Sequence, residues 1–414
     1  MTSKTETMDL TFVEAPQTGL MAGAAVPEID HERVILPGIT YTRVAAYRHP
    51  AAFPNPFLKV NPLTESAFRQ FDRVQRVDAG SLGGITSIKA PWVLGRFGAL
   101  IDPVARTAPT EFPTHVDRLF ARADLEFFPT PAPAFPDATN SARPVRFTFD
   151  CGSINRIPAG VLLTQAGTYT YGHWLLDMVP RLTVLRRMMM TRRFSDMAIY
   201  HFGMPEYARH FLELMGLEGF RFVELKQNVL YEAAELHEPA PIKIGYWVNL
   251  DQLAQSLHSF RLAASAYAGR LPVRDDPLLN TPPEKVYFSR ERWRFGDQTR
   301  NFANRKDMGV LLGRLGFIPV HVEDYSVAEL TILLSNAKMI VGEDGSALHN
   351  VVLSPNSCSI VAVTPNARMN LWHGSLCAAM GHRIAFVQGL GGEASPHMVP
   401  IEELEATIKA VQGA

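Results

Sequence analysis

The chain has 414 residues, of which 47% are hydrophobic and 20% charged, the proportions of a folded globular protein. At about 150 residues per domain, this length predicts two or three domains, large enough to bury a core without disulfide or metal staples. Lys plus Arg number 40 and Asp plus Glu 41, a net charge of −1. That balance argues against a general nucleic-acid coat, and no apolar run approaches the roughly 18 residues of a membrane span.

Residues 1–25 lack periodicity and predict a loose tail. Residues 1–10 mix charges of both signs without an apolar run, which predicts no secretory signal. From 34 to 149, short apolar runs are broken by Pro and Gly, as in Val34-Ile35-Leu36 before Pro37-Gly38, so short strands and irregular connections are expected. Residues 128–136 alternate Pro with small residues and predict an extended polyproline II connector. Residues 161–164 read as a buried strand. Residues 171–190 have helical spacing, with Trp174, Leu175, Met178, Leu182 and Leu185 near one stripe and Pro180 marking a kink or break. In the same stretch Met188-Met189-Met190 lie between arginine pairs, a pattern of core filler or of a basic membrane-facing surface.

Residues 196–202 and 220–225 read as strands, and 206–215 as a helix stopped at Gly216. Residues 249–267 predict a long helix with Leu250, Leu253, Leu257, Phe260 and Leu262 as its apolar face. The proline-rich, charged stretch 271–284 reads as a linker. After it, strands at 285–289, 317–322, 338–341, 359–363 and 383–387 alternate with helices at 304–315, 326–335, 346–353, 371–380 and 401–411. Ser326 and Glu329 have the spacing of a capping box. Strand and helix in alternation predict βαβ units around a parallel sheet, whose ligands bind at the carboxyl ends of the strands. The cysteines, Cys151, Cys358 and Cys377, are odd in number and far apart, so they predict buried apolar thiols in a reducing compartment.

Three segments carry chemistry. The first is Val341-Gly342-Glu343-Asp344-Gly345-Ser346-Ala347-Leu348-His349-Asn350, an apolar strand, a glycine turn and a helix start. Backbone N–H groups of Gly345, Ser346 and Ala347 at a helix N-terminus suit phosphate, and Glu343 and Asp344 suit sugar hydroxyls. The alternative is an ordinary strand-to-helix turn, since neither the Walker nor the G-x-G-x-x-G pattern is present. The second is Ser289-Arg290 at a strand end, with Asn304-Arg305 at the next helix start, a set able to clamp a diphosphate. The alternative is surface charge, because Arg292, Arg294 and Arg300 lie between. The third is His173, Asp177 and Arg181 at i, i+4 and i+8, which share a helix face. A carboxylate beside His173 orients a basic imidazole, and a surface Asp–Arg pair is the alternative. Asp-x-Asp, the sequence of a metal-held sugar nucleotide, is absent, which disfavours a metal-dependent transferase.

These motifs together resemble glycosyltransferase family 61. The block His173-Trp174-Leu175-Leu176-Asp177 with Pro180-Arg181-Leu182 is similar to the family's, and Tyr287-Phe288-Ser289-Arg290, Asn304-Arg305, the 341–350 segment and Pro355-Asn356-Ser357 follow in the family's order. The family usually reads Val-Gly-x-His-Gly-(Ala or Ser)-x-Leu-x-Asn, and here Asp344 stands in place of that His. The resemblance implies an α/β, GT-B-like fold: two Rossmann-like domains facing across a cleft, here with an irregular strand-rich N-terminal region. The resemblance covers roughly residues 162–387; with the tail and linker read from composition, the chain divides into a tail at 1–25, an acceptor-side domain at 26–270, a linker at 271–284, a nucleotide-sugar domain at 285–395 and a terminal helix at 396–414. It further implies an inverting transferase that needs no metal or other cofactor. Such an enzyme moves a sugar from a nucleotide-sugar to a glycan or lipid-linked acceptor in surface polysaccharide biosynthesis, capsule or exopolysaccharide. The location implied is the cytoplasm, with room for peripheral contact at the inner membrane face, and no nucleic-acid partner. Asp177, His173 and Glu343 are then the catalytic candidates. Ser289, Arg290, Asn304, Arg305, Asp344, Gly345, Ser346 and Asn350 are the candidates for donor binding. Two other readings use the same residues: a transferase of another activated group, and a non-catalytic nucleotide-sugar- or glycan-binding scaffold of which Asp344 is a symptom.

Overall fold

The computed structural model describes residues 5–14, 32–36, 39–42, 53–75, 85–89, 91–94, 99–101, 107–110, 125–127, 143–150, 154–163, 170–226, 229–239, 242–244, 247–272, 274–292, 302–365, 370–391 and 396–413. The polyproline stretch at 128–136, Cys151 and most of the expected tail lie outside them. The chain forms two compact units. Residues 1–46, 78–169 and 180–249 make the first, and 47–77, 170–179 and 250–414 make the second.

In the first unit a seven-stranded sheet runs Phe222–Glu224, Ala198–His201, Gly160–Leu162, Glu235–Pro239, Ile85–Lys89, Ile39–Thr42, Glu32–Leu36. The first four strands are parallel and the rest antiparallel. The run Val161-Leu162-Leu163 is fully buried, as expected of a parallel strand covered on both faces. Two four-stranded sheets complete the strand-rich region, one made of Thr107–Thr110, Thr5–Glu14, Arg143–Asp150 and Leu125–Phe127. Thr5–Glu14 thus belong to a sheet rather than to a loose tail. They pair antiparallel with Arg143–Asp150, a partner too distant in sequence for local patterning to reveal. A cleft of about 920 Å³ lies at the carboxyl ends of Ala198–His201 and Phe222–Glu224, lined by His201, Glu206, Arg209 and Glu224 among others.

The second unit is built on five parallel strands in the order Ile318–Val320, Lys285–Phe288, Met339–Glu343, Ser359–Thr364, Arg383–Gln388. Helices Arg305–Arg314, Val327–Leu333, Leu371–Met380 and Ile401–Gly413 alternate with them, and the capping box of Ser326 and Glu329 is complete. The winding direction reverses between Lys285–Phe288 and Met339–Glu343. That topological switch point opens a crevice at the carboxyl ends of the two strands.

The units differ from a linear division of the chain. Residues 56–64 lie along the edge strand Arg383–Gln388: Leu58 N donates to Ile384 O at 2.9 Å, Ile384 N to Pro56 O at 2.8 Å, and Phe386 N to Thr64 Oγ1 at 2.9 Å. An edge strand presents unpaired backbone groups, and this early segment satisfies them. Phe57 packs between Phe71 and Phe386 there. The stretch read as a linker is also structured: Asp276 caps helix Pro277–Asn280 by accepting from Leu278 N at 2.9 Å. Helix Leu250–Ala268 packs in the same unit, burying Leu250, Leu253, Leu257, Phe260, Ala264 and Ala268. Leu262 is 68% exposed rather than part of that face. It follows Phe260 by two residues, about 200° around the helix.

Pro180 does not break its helix. Tyr171–His173 leads into a π-helical turn, Trp174–Met178, and then α-helix Val179–Met189. Pro180 has no N–H for the carbonyl four residues back, and the wider turn, with Val179 N bonded to Trp174 O, accommodates that loss. Met188 and Met189 are buried while Met190 is 74% exposed. No helix of the described residues is long and apolar enough to cross a membrane.

Candidate active site

The switch point of the second unit gathers the first two chemical segments. Ser289 and Arg290 follow strand Lys285–Phe288, and Asp344, Gly345 and Ser346 follow the neighbouring strand Met339–Glu343. Arg290 Nη1 donates to Asp344 O at 3.1 Å, so both sides of the crevice touch. Gly345 has φ 151° and ψ −173°, a conformation essentially restricted to glycine, and it makes the sharp exit from the strand. The following segment, Ser346–Leu353, is a 3-10 helix rather than the α-helix expected. Eight residues with Leu348 and Val351 buried three apart do not separate a period of 3.0 from one of 3.6.

Helix start Tyr171–His173 belongs to the same unit and packs on this 3-10 helix. Tyr171 donates its hydroxyl to Asn350 Oδ1 at 2.7 Å, and His349 Nδ1 donates to Gly172 O at 2.8 Å. Gly172 leaves no room for more: a Cβ would stand 2.6 Å from His349 Nδ1 and 2.8 Å from Ser346 Oγ. His173 Nδ1 is 2.5 Å from Asp177 Oδ2. The Asp177 side chain is 2% exposed and that of His173 is 27% exposed. A carboxylate only accepts, so Nδ1 carries the proton. The pair is therefore an oriented imidazole with a buried carboxylate behind it.

A second imidazole–carboxylate contact lies beside it. His373 Nε2 donates to Asp344 Oδ1 at 2.7 Å, and Asn370 Nδ2 donates to the same oxygen at 3.3 Å. The His349 and His373 rings are 5.1 Å apart. Burial, then the neighbouring His373, push the His349 pKa down to about 3, so this imidazole stays neutral. Glu343, 1% exposed in its side chain, receives a bidentate contact from Arg305: Nε to Oε1 at 2.5 Å and Nη2 to Oε2 at 2.8 Å. That hydrogen bond raises the Arg305 pKa further.

The expected site residues thus separate into two sets. His173, Arg290, Asn304, Arg305 and Ser346 are partly exposed, whereas Asp177, Ser289, Glu343, Asp344, Gly345 and Asn350 are buried. Asn350 spends its carboxamide on Tyr171 and on Ala347 O, which ties two backbone segments together and leaves it away from solvent. Asn304 is engaged likewise: its Nδ2 donates to Val399 O at 2.9 Å and its Oδ1 accepts from Val399 N at 2.7 Å. Arg181 does not extend the His173–Asp177 face as a surface pair; it is buried and donates to Glu238 Oε1 at 2.9 Å.

His373, Asn370 and Trp372 escaped the sequence reading, as did the burial of His349. Their signal was present, since they follow strand Ser359–Thr364 at its carboxyl end, the edge where ligand residues are expected. Among the described residues no group of three His, Cys, Asp or Glu is arranged to hold a metal ion.

Residues 171–361 match the family model described as Glycosyltransferase 61, a span that begins at the helix of His173 and runs into the strand after the 3-10 helix. No curated protein matches the chain. The chain is thus similar to glycosyltransferase family 61 over the helix start of His173 and both strands of the switch point, and it is a glycosyltransferase.

Proposed function

We propose that the second unit is the donor-binding and catalytic unit of an inverting, metal-independent glycosyltransferase that uses a nucleotide-sugar. The observation that carries this reading is the His173–Asp177 contact, made within the same unit as the switch-point residues Arg290, Gly345 and Ser346. The acceptor hydroxyl gives its proton to His173 Nε2 as its oxygen bonds to the anomeric carbon, and the bond from that carbon to the diphosphate breaks. Attack opposite the leaving group inverts the anomeric centre. Asp177 stabilises the imidazolium that forms. The diphosphate leaves with its charge met by Arg290, by the remaining N–H donors of Arg305 and by the backbone N–H groups of Gly345 and Ser346. Glu343 holds Arg305 in place; paired in that way it is no base.

The remainder of the reading follows the resemblance to glycosyltransferase family 61. The architecture is GT-B, supported by parallel strands in the sheets of both units. The acceptor is a glycan or lipid-linked sugar of a surface polysaccharide, and the enzyme works in the cytoplasm at the membrane face. Thermal unfolding against a panel of nucleotide-sugars tests the donor site. A bound donor at about 100 times its Kd adds about 2.7 kcal/mol. Turnover of the stabilising donor is expected to persist in EDTA. Loss on chelation that Mn²⁺ restores would overturn the charge-neutralisation step.

A further inference from the structure

Helix Leu371–Met380 is buried at every residue except Trp372, which is half-buried. The Trp372 and His173 rings are 5.9 Å apart at 65°, an edge contact. The start of this helix is held in place. The backbone N–H of Trp372 donates to Asn370 Oδ1 at 3.2 Å, which caps the helix, and Asn370 and His373 both donate to Asp344 Oδ1. One buried carboxylate therefore holds the helix start that carries Trp372 on one side and the switch-point loop on the other.

We infer that the Trp372 indole is the acceptor platform of this enzyme, against which the apolar face of a pyranose ring packs while a ring hydroxyl is directed at His173 Nε2. This rests on His173 as the base of the proposed reaction. A pyranose with equatorial hydroxyls exposes axial C–H groups on its ring face. Those carry the partial positive charge that the electron-rich face of an indole attracts, while the hydroxyls point outward along the ring plane. The ring that bears the attacking hydroxyl must lie within contact of the base, and among the described residues Trp372 is in ring contact with His173. The site thereby selects a pyranoside acceptor over an extended alcohol. Asp344 gains a use as well: with His373 and Asn370 it holds the start of the helix that carries Trp372.

Saturation-transfer NMR on the full chain tests this, with methyl gluco-, galacto- and mannopyranosides as probes and uridine and guanosine as controls. Transfer is expected to the axial ring protons of at least one pyranoside. Its affinity should weaken about threefold to tenfold in Trp372→Ala and in Trp372→Leu, which keeps apolar bulk without a π face, and Trp372→Phe should recover part of it. Transfer that survives unchanged in the Leu variant, transfer from no pyranoside, or Trp372-dependent transfer from the nucleosides alone would each overturn the platform. Hydrolysis of nucleotide-sugars by the unaltered enzyme is measured in parallel. Absence of that hydrolysis counts against the transferase mechanism itself, whereas hydrolysis with no pyranoside transfer removes only the platform.

Discussion

Asp177 shows how burial changes the meaning of a residue. A surface Asp on a helix contributes about 0.2 to 0.5 kcal/mol through an i, i+4 pair. Here the side chain is 2% exposed and bonded to His173, so its charge is available to orient the imidazole and to offset the proton it takes up. Asp177→Asn keeps the shape and removes the charge. Turnover should fall by about 10² to 10⁴, the usual weight of general-base catalysis, with donor affinity nearly unchanged. Steady-state kinetics beside donor titration by calorimetry separates the two, and near-normal turnover in a folded variant would remove Asp177 from the mechanism. Glu343 illustrates the opposite case. Its sequence position suits a base, but the bidentate contact with Arg305 commits both of its oxygens.

At the scale of elements, the site depends on two backbones that touch. The helix start at Gly172 lies against the 3-10 helix Ser346–Leu353 so closely that even a methyl group collides with His349 and Ser346. Gly172→Ala should therefore cost about 1 to 3 kcal/mol, the range for overpacking a filled interior. It should also lower turnover by displacing His173 from the switch-point loop. Urea denaturation and kinetics on the same preparation check both; unchanged stability would mean the two helices separate without penalty. The π-turn at Trp174–Met178 belongs to the same scale, because it lets the helix pass Pro180 while His173 and Asp177 remain in contact.

Across the second unit, buried neutral histidines make stability depend on pH. Burial lowers the pKa of His349 to about 3 and that of His382 to about 4, each from an ordinary 6.5. Unfolded, both take up protons below pH 6.5; folded, they resist until pH approaches 4 or 3. Stability is thus complete above about 6.5 and declines as pH falls through that window. At pH 5.5 the two together should account for about 3 kcal/mol of lost stability, near 1.4 kcal/mol for each unit and group. His382 is held by Cys358 N and by Val351 O, away from the proposed chemistry. His382→Gln should flatten the acid slope by about half, read as chemical denaturation midpoints at pH 7.5 and 5.5. An unaltered slope would place the acid sensitivity elsewhere.

The alternation of strands and helices from 285 onward, the capping box and, Leu262 aside, the apolar stripe of the long helix were legible in the sequence. They are set by neighbours within about one or two helical turns, where periodicity and capping operate. Other features came from contacts between residues far apart in the chain. Residues 56–64 satisfy an edge strand more than three hundred positions later, Thr5–Glu14 find a partner near 150, and helix start Tyr171–His173 seats on a 3-10 helix beyond 345. Burial likewise decided which polar residues of the motifs support the site and which face solvent: it locked Glu343 to Arg305, committed Asn304 and Asn350 to backbone, and brought His373 to Asp344. A motif names the residues that share a spacing. Only the packed chain determines which of their donors and acceptors are already spent, because a buried polar group must find its partner within the protein.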